Sequence, residues 1–148
     1  MINLDRLRSI LTKYNANYEI IKHDKEIHSI KDAEGYFDIK RLAPVLIIDT
    51  EKGLYAVIKS TLNGKINFEI VKKAIGCNEI KMAAPDKILF ETGFNIGAIP
   101  LVGLSIPYVI DKLLLRFDYI YGGTGELQYT LKIAPNDVIK VNNVSIIF

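Results

Sequence analysis

The stretch Val45-Leu46-Ile47-Ile48-Asp49-Thr50-Glu51-Lys52-Gly53-Leu54-Tyr55-Ala56-Val57-Ile58 holds two apolar runs around a polar segment that ends in glycine. Each run has the length and β-branched content of a strand, and Asp49 to Gly53 supplies the turn residues of a hairpin. An antiparallel pair at this place anchors the rest of the reading. Toward the N-terminus, Leu4, Leu7, Ile10, Leu11 and Tyr14 share a helical stripe with Asp5, Arg6 and Lys13 pointing away. Tyr18 to Ile21 then reads as a short strand. Ser29 followed by Asp32 resembles a capping box opening a helix toward Phe37, which Gly35 keeps short.

Toward the C-terminus, Asn67 caps a helix that carries Phe68, Val71, Ala74 and Ile75 on one face and Lys72 and Lys73 on the other, with Gly76 as its stop. Ile80 to Ala83 is a further strand. Pro85 and Asp86 open a helix ending at Gly93, Val109 and Ile110 form a strand leading to Asp111, and Asp111 reads as a cap. Tyr119 to Tyr121 and Tyr129 to Ile133 make a late strand pair, and Pro135-Asn136-Asp137 starts a last short helix. The sum is one α/β domain of the α+β type over residues 1–148, a barrel-like, mixed and largely antiparallel sheet flanked by short helices.

Composition narrows the function classes. Of the 148 residues, 49% are hydrophobic and 9% aromatic, so disorder and low complexity are disfavoured. Nineteen basic against 17 acidic side chains leave +2, which neither requires nor excludes a polyanionic partner. The single cysteine, Cys77, precludes an internal disulfide and suits a reducing cytoplasm, and neither it nor either histidine stands at metal-ligand spacing. There is no Gly-x-Gly-x-x-Gly opening a helix and no phosphate-cradling loop before a helix start, so neither a cofactor nor a metal is expected. No apolar run approaches membrane-spanning length, and a soluble cytoplasmic protein without a membrane partner is expected.

Chemistry concentrates in two glycine-bearing segments. Thr92-Gly93-Phe94-Asn95-Ile96-Gly97-Ala98-Ile99-Pro100-Leu101-Val102-Gly103 has three glycines and a proline among apolar residues and no charge, so it reads as a partly buried loop lining a pocket. Tyr121-Gly122-Gly123-Thr124-Gly125 repeats the device, and the two could face each other across a cleft or be no more than well-packed turns.

The order of Ala83-Ala84-Pro85, a short helix, Thr92-Gly93-Phe94 with Gly97 and Gly103, Pro107-Tyr108-Val109-Ile110-Asp111 and Gly122-Gly123-Thr124-Gly125 resembles the prolyl-tRNA editing, or YbaK-like, aminoacyl-tRNA deacylase domains. Ile27-His28-Ser29-Ile30-Lys31-Asp32-Ala33 is similar to that family's His-Thr segment. The resemblance covers nearly the whole chain. It implies a free-standing or inserted domain that hydrolyses the ester joining a mischarged small amino acid to its tRNA, of the cysteinyl, alanyl or prolyl type. It implies further that the loop from Gly97 to Pro100 lines the aminoacyl pocket, that the tRNA's terminal ribose assists the attack, and that the partners are an aminoacylated tRNA 3′ end and, as a further candidate, a synthetase. Self-association stays open.

The same resemblance implies Gly97 as a catalytic residue and His28, Ala98, Ile99, Pro100, Gly122, Gly123 and Gly125 as substrate-binding ones; Lys40 is the candidate catalytic cation only if the loop before the strand folds back to bring it to the site. One departure stands out: where the family carries a lysine at the start of the strand after the early helix, this chain has Pro44, with Lys40 and Arg41 upstream. The loop spacing is also shortened, to Gly97-Ala98-Ile99-Pro100. A catalytically silent tRNA- or aminoacyl-binding module is therefore the alternative, and a small-molecule or protein-interaction domain a third reading. Lys59, Lys65, Lys72 and Lys73 are candidates for a basic face toward a tRNA backbone.

Overall fold

The computed structural model describes residues 3–148. Along the chain lie α1 (Leu4–Lys13), β1 (Tyr18–Lys22), α2 (Ile30–Ala33), β2 (Val45–Thr50), β3 (Gly53–Ile58), α3 (Phe68–Ile75) and β4 (Ile80–Met82). They are followed by α4 (Pro85–Thr92), β5 (Tyr108–Ile110), β6 (Ile120–Gly123), β7 (Tyr129–Ile133), α5 (Pro135–Asn142) and β8 (Ile146–Ile147). Short 3-10 turns occupy Ile39–Arg41 and Lys112–Arg116.

Helix ends fall where the sequence supplies caps. The Asn67 side chain accepts from the Glu69 and Ile70 amides, and α3 stops at Gly76, whose φ of 79° is the left-handed turn that glycine adopts at low cost. Helix α2 is shorter than expected: Ser29 accepts from the Asp32 amide at 3.4 Å, but only Ile30–Ala33 remain helical before the chain turns toward Phe37. The hairpin is tighter than expected. Thr50 stands opposite Gly53, so the connection is Glu51 and Lys52 alone.

The strands form two sheets. One has the order β4-β2-β3-β5-β8 and mixes antiparallel pairs with parallel β3-β5 and β5-β8, while β1-β7-β6 is antiparallel throughout. They meet through a bridge between Leu42 and Tyr121 rather than closing into a barrel. The continuous apolar character of β2 and β3 follows from burial of both faces of the larger sheet. Ile47, Ala56, Ile58 and Ile110 face a core shared with α1, α4, α5 and the smaller sheet, whereas Ile48, Val57 and Val109 face α3 through Val71 and Ile75. Each fully buried Ile, Leu or Val side chain contributes roughly 1.5–3 kcal/mol, so these faces, and not the two-residue turn, hold the sheet.

Asp111 caps the turn at 112–116 as expected, accepting from the Leu113 amide, and does more: its other oxygen accepts from the Ser60 amide and the Asn63 side chain. Beside it, Lys59 is buried and donates to Ser60 O (2.7 Å) and Asn63 Oδ1 (2.8 Å). Burial holds its ammonium below the usual lysine range, with Asp111 opposing. Lys59 therefore does not belong to a basic surface; its charge is spent inside.

In the hairpin turn, the Glu51 carboxylate accepts from the Asn78 amide at 2.7 Å and the Glu79 amide at 3.0 Å, tying the chain that follows α3 to the turn. The Glu79 and then the Asn78 hydrogen bonds lower its pKa below 4.5. A depressed carboxylate contributes stability that is present above the unfolded value and lost as pH falls through the folded one. Glu51→Gln is therefore expected to lower the Tm at pH 7, and the gap from wild type to close as pH drops below 4.5. Thermal unfolding followed by circular dichroism across that range checks it; a gap independent of pH would assign the loss to packing.

Candidate active site

A cavity of about 160 Å³ opens where the segment before α2, the entry to β2, the Gly97 loop and the β6-β7 connection converge. Its walls are mostly apolar: Ile27, Ala33, Phe37, Leu42, Pro44, Val45, Ile99 and Leu127. Among the described residues no lysine or arginine lines it. The expected site residues Gly97, Ala98, Ile99, His28, Gly122, Gly123 and Gly125 all do.

The two glycine segments do not merely face each other; they touch. The Leu101 amide donates to Gly123 O at 2.9 Å, and a Cβ on Gly123 would lie 2.5 Å from Ile99 O. One on Gly122 would meet the Leu101 side chain at the same distance. Only glycine lets these two backbones approach so closely. Gly97 has φ +90° and would place a Cβ 3.1 Å from His28 O, which fixes the loop against the histidine. The Ala98 amide donates to Asn95 O, whereas among the described residues the Gly97 and Ile99 amides have no protein acceptor.

Pro100 stands behind the wall. Its carbonyl accepts from the Tyr108 hydroxyl at 2.8 Å, and burial pushes the Tyr108 phenol well above its ordinary pKa, so it remains a donor. Lys40 is exposed on the turn at 39–41, its amide donating to Asp38 Oδ1 at 3.1 Å, and is not among the lining residues. Pro44 is among them, at the wall where the resemblance puts a lysine. Arg41 points elsewhere, donating to Asp118 Oδ1 (2.7 Å) and Tyr119 O (3.1 Å). The Asp118 hydrogen bond holds the guanidinium pKa up and the carboxyl pKa down.

His28 sits at the rim with more than half its side chain exposed, Nε2 3.1 Å from Glu26 Oε1. Sequence spacing alone did not single out Glu26 as its partner. Reasoning from sequence named Tyr121 and Thr124 only as parts of the second glycine segment, and missed Thr130 and Glu126 on the lining. The signal was present for Thr130, because period-two alternation in β7 sends it away from the buried Leu131 and Ile133. Thr130 Oγ1 lies 3.0 Å from His23 Nε2, and His23 Nδ1 lies 2.6 Å from Lys25 O. A carbonyl can only accept, so Nδ1 carries a proton and donates to Lys25 O. The buried Thr124 hydroxyl lies 3.1 Å from both Glu126 O and Tyr129 O and fixes the β6-β7 turn. Burial, with the Tyr119 hydroxyl second, raises the Tyr121 phenol pKa, keeping it protonated at the cavity edge.

A family model described as the aminoacyl-tRNA editing domain matches residues 24–141, which contain every residue of the cavity wall. The chain belongs to the aminoacyl-tRNA editing domain family. It is 28% identical over 123 residues to a proline–tRNA ligase of Thermosipho melanesiensis, covering 74% of this chain and 22% of that protein. The chain thus spans about a fifth of the curated relative it matches. Among solved structures, a protein described only as hypothetical aligns with a TM-score of 0.86 at 20% identity, covering 95% of this chain and 96% of the other. A candidate trans-editing enzyme for prolyl tRNA synthetase aligns at 0.83 and 18% identity, covering 100% and 97%. At those identities the likeness is one of fold. No helix in the described residues is long and apolar enough to cross a membrane.

The close backbone contact yields a test. Gly123→Ala forces a Cβ against a carbonyl that no rotamer change can move, and is expected to cost about 1–3 kcal/mol in urea unfolding. Gly35→Ala, where nothing lies within 4 Å, should stay within about 0.5 kcal/mol. Equal effects at the two positions would remove the Gly123 contact from the account.

Proposed function

We propose that the chain is a deacylase that clears a mischarged small amino acid from tRNA, acting in trans. The observation carrying this reading is the small, apolar, glycine-walled cavity, about 160 Å³, inside a domain of the editing family. An aminoacyl ester needs little activation, so catalysis reduces to positioning water and stabilising the oxyanion as it forms. The Gly97 and Ile99 amides supply candidate donors for that oxyanion. Water adds to the ester carbonyl, the bond to the ribose oxygen breaks, and the products are the free amino acid and a tRNA with its hydroxyl restored. The resemblance adds that the neighbouring ribose hydroxyl assists, which suits a cavity whose walls offer few titratable groups.

The cavity's wall of Ala33, Ala98, Ile99 and Val45 supports an alanyl-, cysteinyl- or prolyl-sized side chain, with Thr130 and Glu126 as acceptors for the α-ammonium. Steric selection among such side chains yields about 1–3 kcal/mol per methylene, the level at which a second hydrolytic sieve is needed. His28 contributes at the rim, toward the ribose. Lys40 approaches the tRNA from outside the cavity, so its removal should raise KM.

Incubation with a panel of alanyl-, cysteinyl- and prolyl-tRNAs tests this. Release of one amino acid is expected, with Gly97→Val, whose side chain would press on His28 O and displace the loop amides, reducing kcat at least about a hundredfold, the scale of an oxyanion donor moved out of place. Lys40→Ala is expected to raise KM with kcat held; a fall in kcat would instead give Lys40 the catalytic role. The absence of a lysine at the Pro44 wall favours the second reading, a binding module without turnover. Saturable tRNA binding with no release from any tRNA would establish that module.

A further inference from the structure

Resting on the editing reading, a second cavity next to the first extends it. We propose that this polar cavity, about 320 Å³ and lined by Asn17, Tyr18, Glu19, Asp118, Tyr119 and Lys132, is a nucleotide subsite for the unpaired residue preceding the acylated one. The two cavities adjoin across an aromatic wall: Tyr119 lines the second, Tyr121 lines the first, and their rings meet edge-on at 5.5 Å. Phe37, also on the first cavity, packs on Tyr121 at 4.5 Å.

The cations here are interleaved with rings. The Arg41 guanidinium carbon lies 4.0 Å from the Tyr119 centroid and 5.2 Å from that of Phe117, and Lys132 Nζ lies 4.2 Å from Tyr119. Arg41 is held by Asp118 and the Tyr119 carbonyl. Among the described residues Lys132 has no carboxylate within salt-bridge distance, and it is the charge available to a phosphate. Alternating aromatic and cationic groups are the recognition surface of single-stranded nucleic acid, where stacking supplies affinity and cations follow the backbone.

A bare anion fits the cavity poorly, because Glu19 and Asp118 line it too. Those carboxylates and Asn17 instead match base edges, since a carboxylate accepts from an exocyclic amine such as cytosine N4. An unpaired nucleotide, with a phosphate, a π-face and an amino edge, satisfies all three kinds of group at once.

The test compares two substrates carrying the same amino acid: the full aminoacyl-tRNA and the aminoacyl ester of adenosine alone, which lacks the preceding nucleotide. In Lys132→Ala, the ratio of kcat/KM for tRNA to that for the adenosine ester is expected to fall about tenfold, the scale of one lost phosphate contact. Tyr119→Leu should lower the same ratio. An unchanged ratio, or an equal loss on both substrates, overturns the subsite. If wild type hydrolyses neither substrate, the editing reading fails, and the subsite is then judged by anisotropy titration of a fluorescein-labelled CCA trinucleotide. About tenfold weaker binding to Lys132→Ala supports it. Equal affinity, no binding, or displacement of the trinucleotide by millimolar inorganic phosphate overturns it.

Discussion

The contact on which the rest depends is the one between two bare backbones, where the Leu101 amide reaches Gly123 O and Ile99 O would collide with any side chain on Gly123. It brings the loop after α4 onto the end of β6, and the adjoining hydrogen bond from the Ala43 amide to Tyr121 O brings the entry of β2 to the same strand. One short strand thus receives both the loop that carries Gly97 and the segment that carries Pro44. The cavity is the space left between them. On the glycine side its boundary is peptide backbone, which has far fewer ways to relax than side chains have; the rest of its size is set by the aliphatic and aromatic side chains around it.

The same arrangement explains the cavity's electrical character. A wall of glycine, alanine, proline and aliphatic side chains carries little charge, and the amides that line it are fixed dipoles. Such dipoles cost no reorganisation when charge develops beside them, and the low-dielectric wall strengthens their effect. Among the described residues the lining carries one carboxylate, Glu126, with Glu26 beside His28 at the rim, and further charged side chains stand in the neighbouring polar cavity.

Much of this was legible where the signal is local. Asn67 and Gly76 bound α3, Pro85 and Gly93 bound α4, and the runs around Glu51 and Lys52 made the hairpin, because caps and turns are chosen by the residues that form them. The glycine segments could be recognised as special, and residue order pointed to the editing family. What stayed hidden was set by residues far apart in sequence. Lys59 looks like a surface lysine until Asp111 and Asn63 are brought beside it. β8 is two residues long and exists only because β5 offers it an edge. The mixed, largely antiparallel sheet flanked by short helices was legible, but that it is divided into two sheets, with Leu42 and Tyr121 joined by a single bridge and not a ladder, was not. Lys40 could not be placed from spacing, since the turn at 39–41 directs its side chain to solvent while its neighbours Leu42 and Pro44 enter the wall.

The parallel pairing of β3 with β5 carries a kinetic consequence. Ala56 meets Tyr108 across a long intervening segment, so this register must wait for the closure of a large loop. Gly97, Ala98 and Ile99 of the cavity wall lie on that segment, and Tyr108 fastens it from behind through Pro100 O. The hairpin and α3 can assemble early from near neighbours, yet the pocket has no inner wall until β5 docks. With β5 undocked the chain would keep the β2-β3 hairpin but neither the full sheet nor the pocket, so the cavity depends on a long-range parallel register.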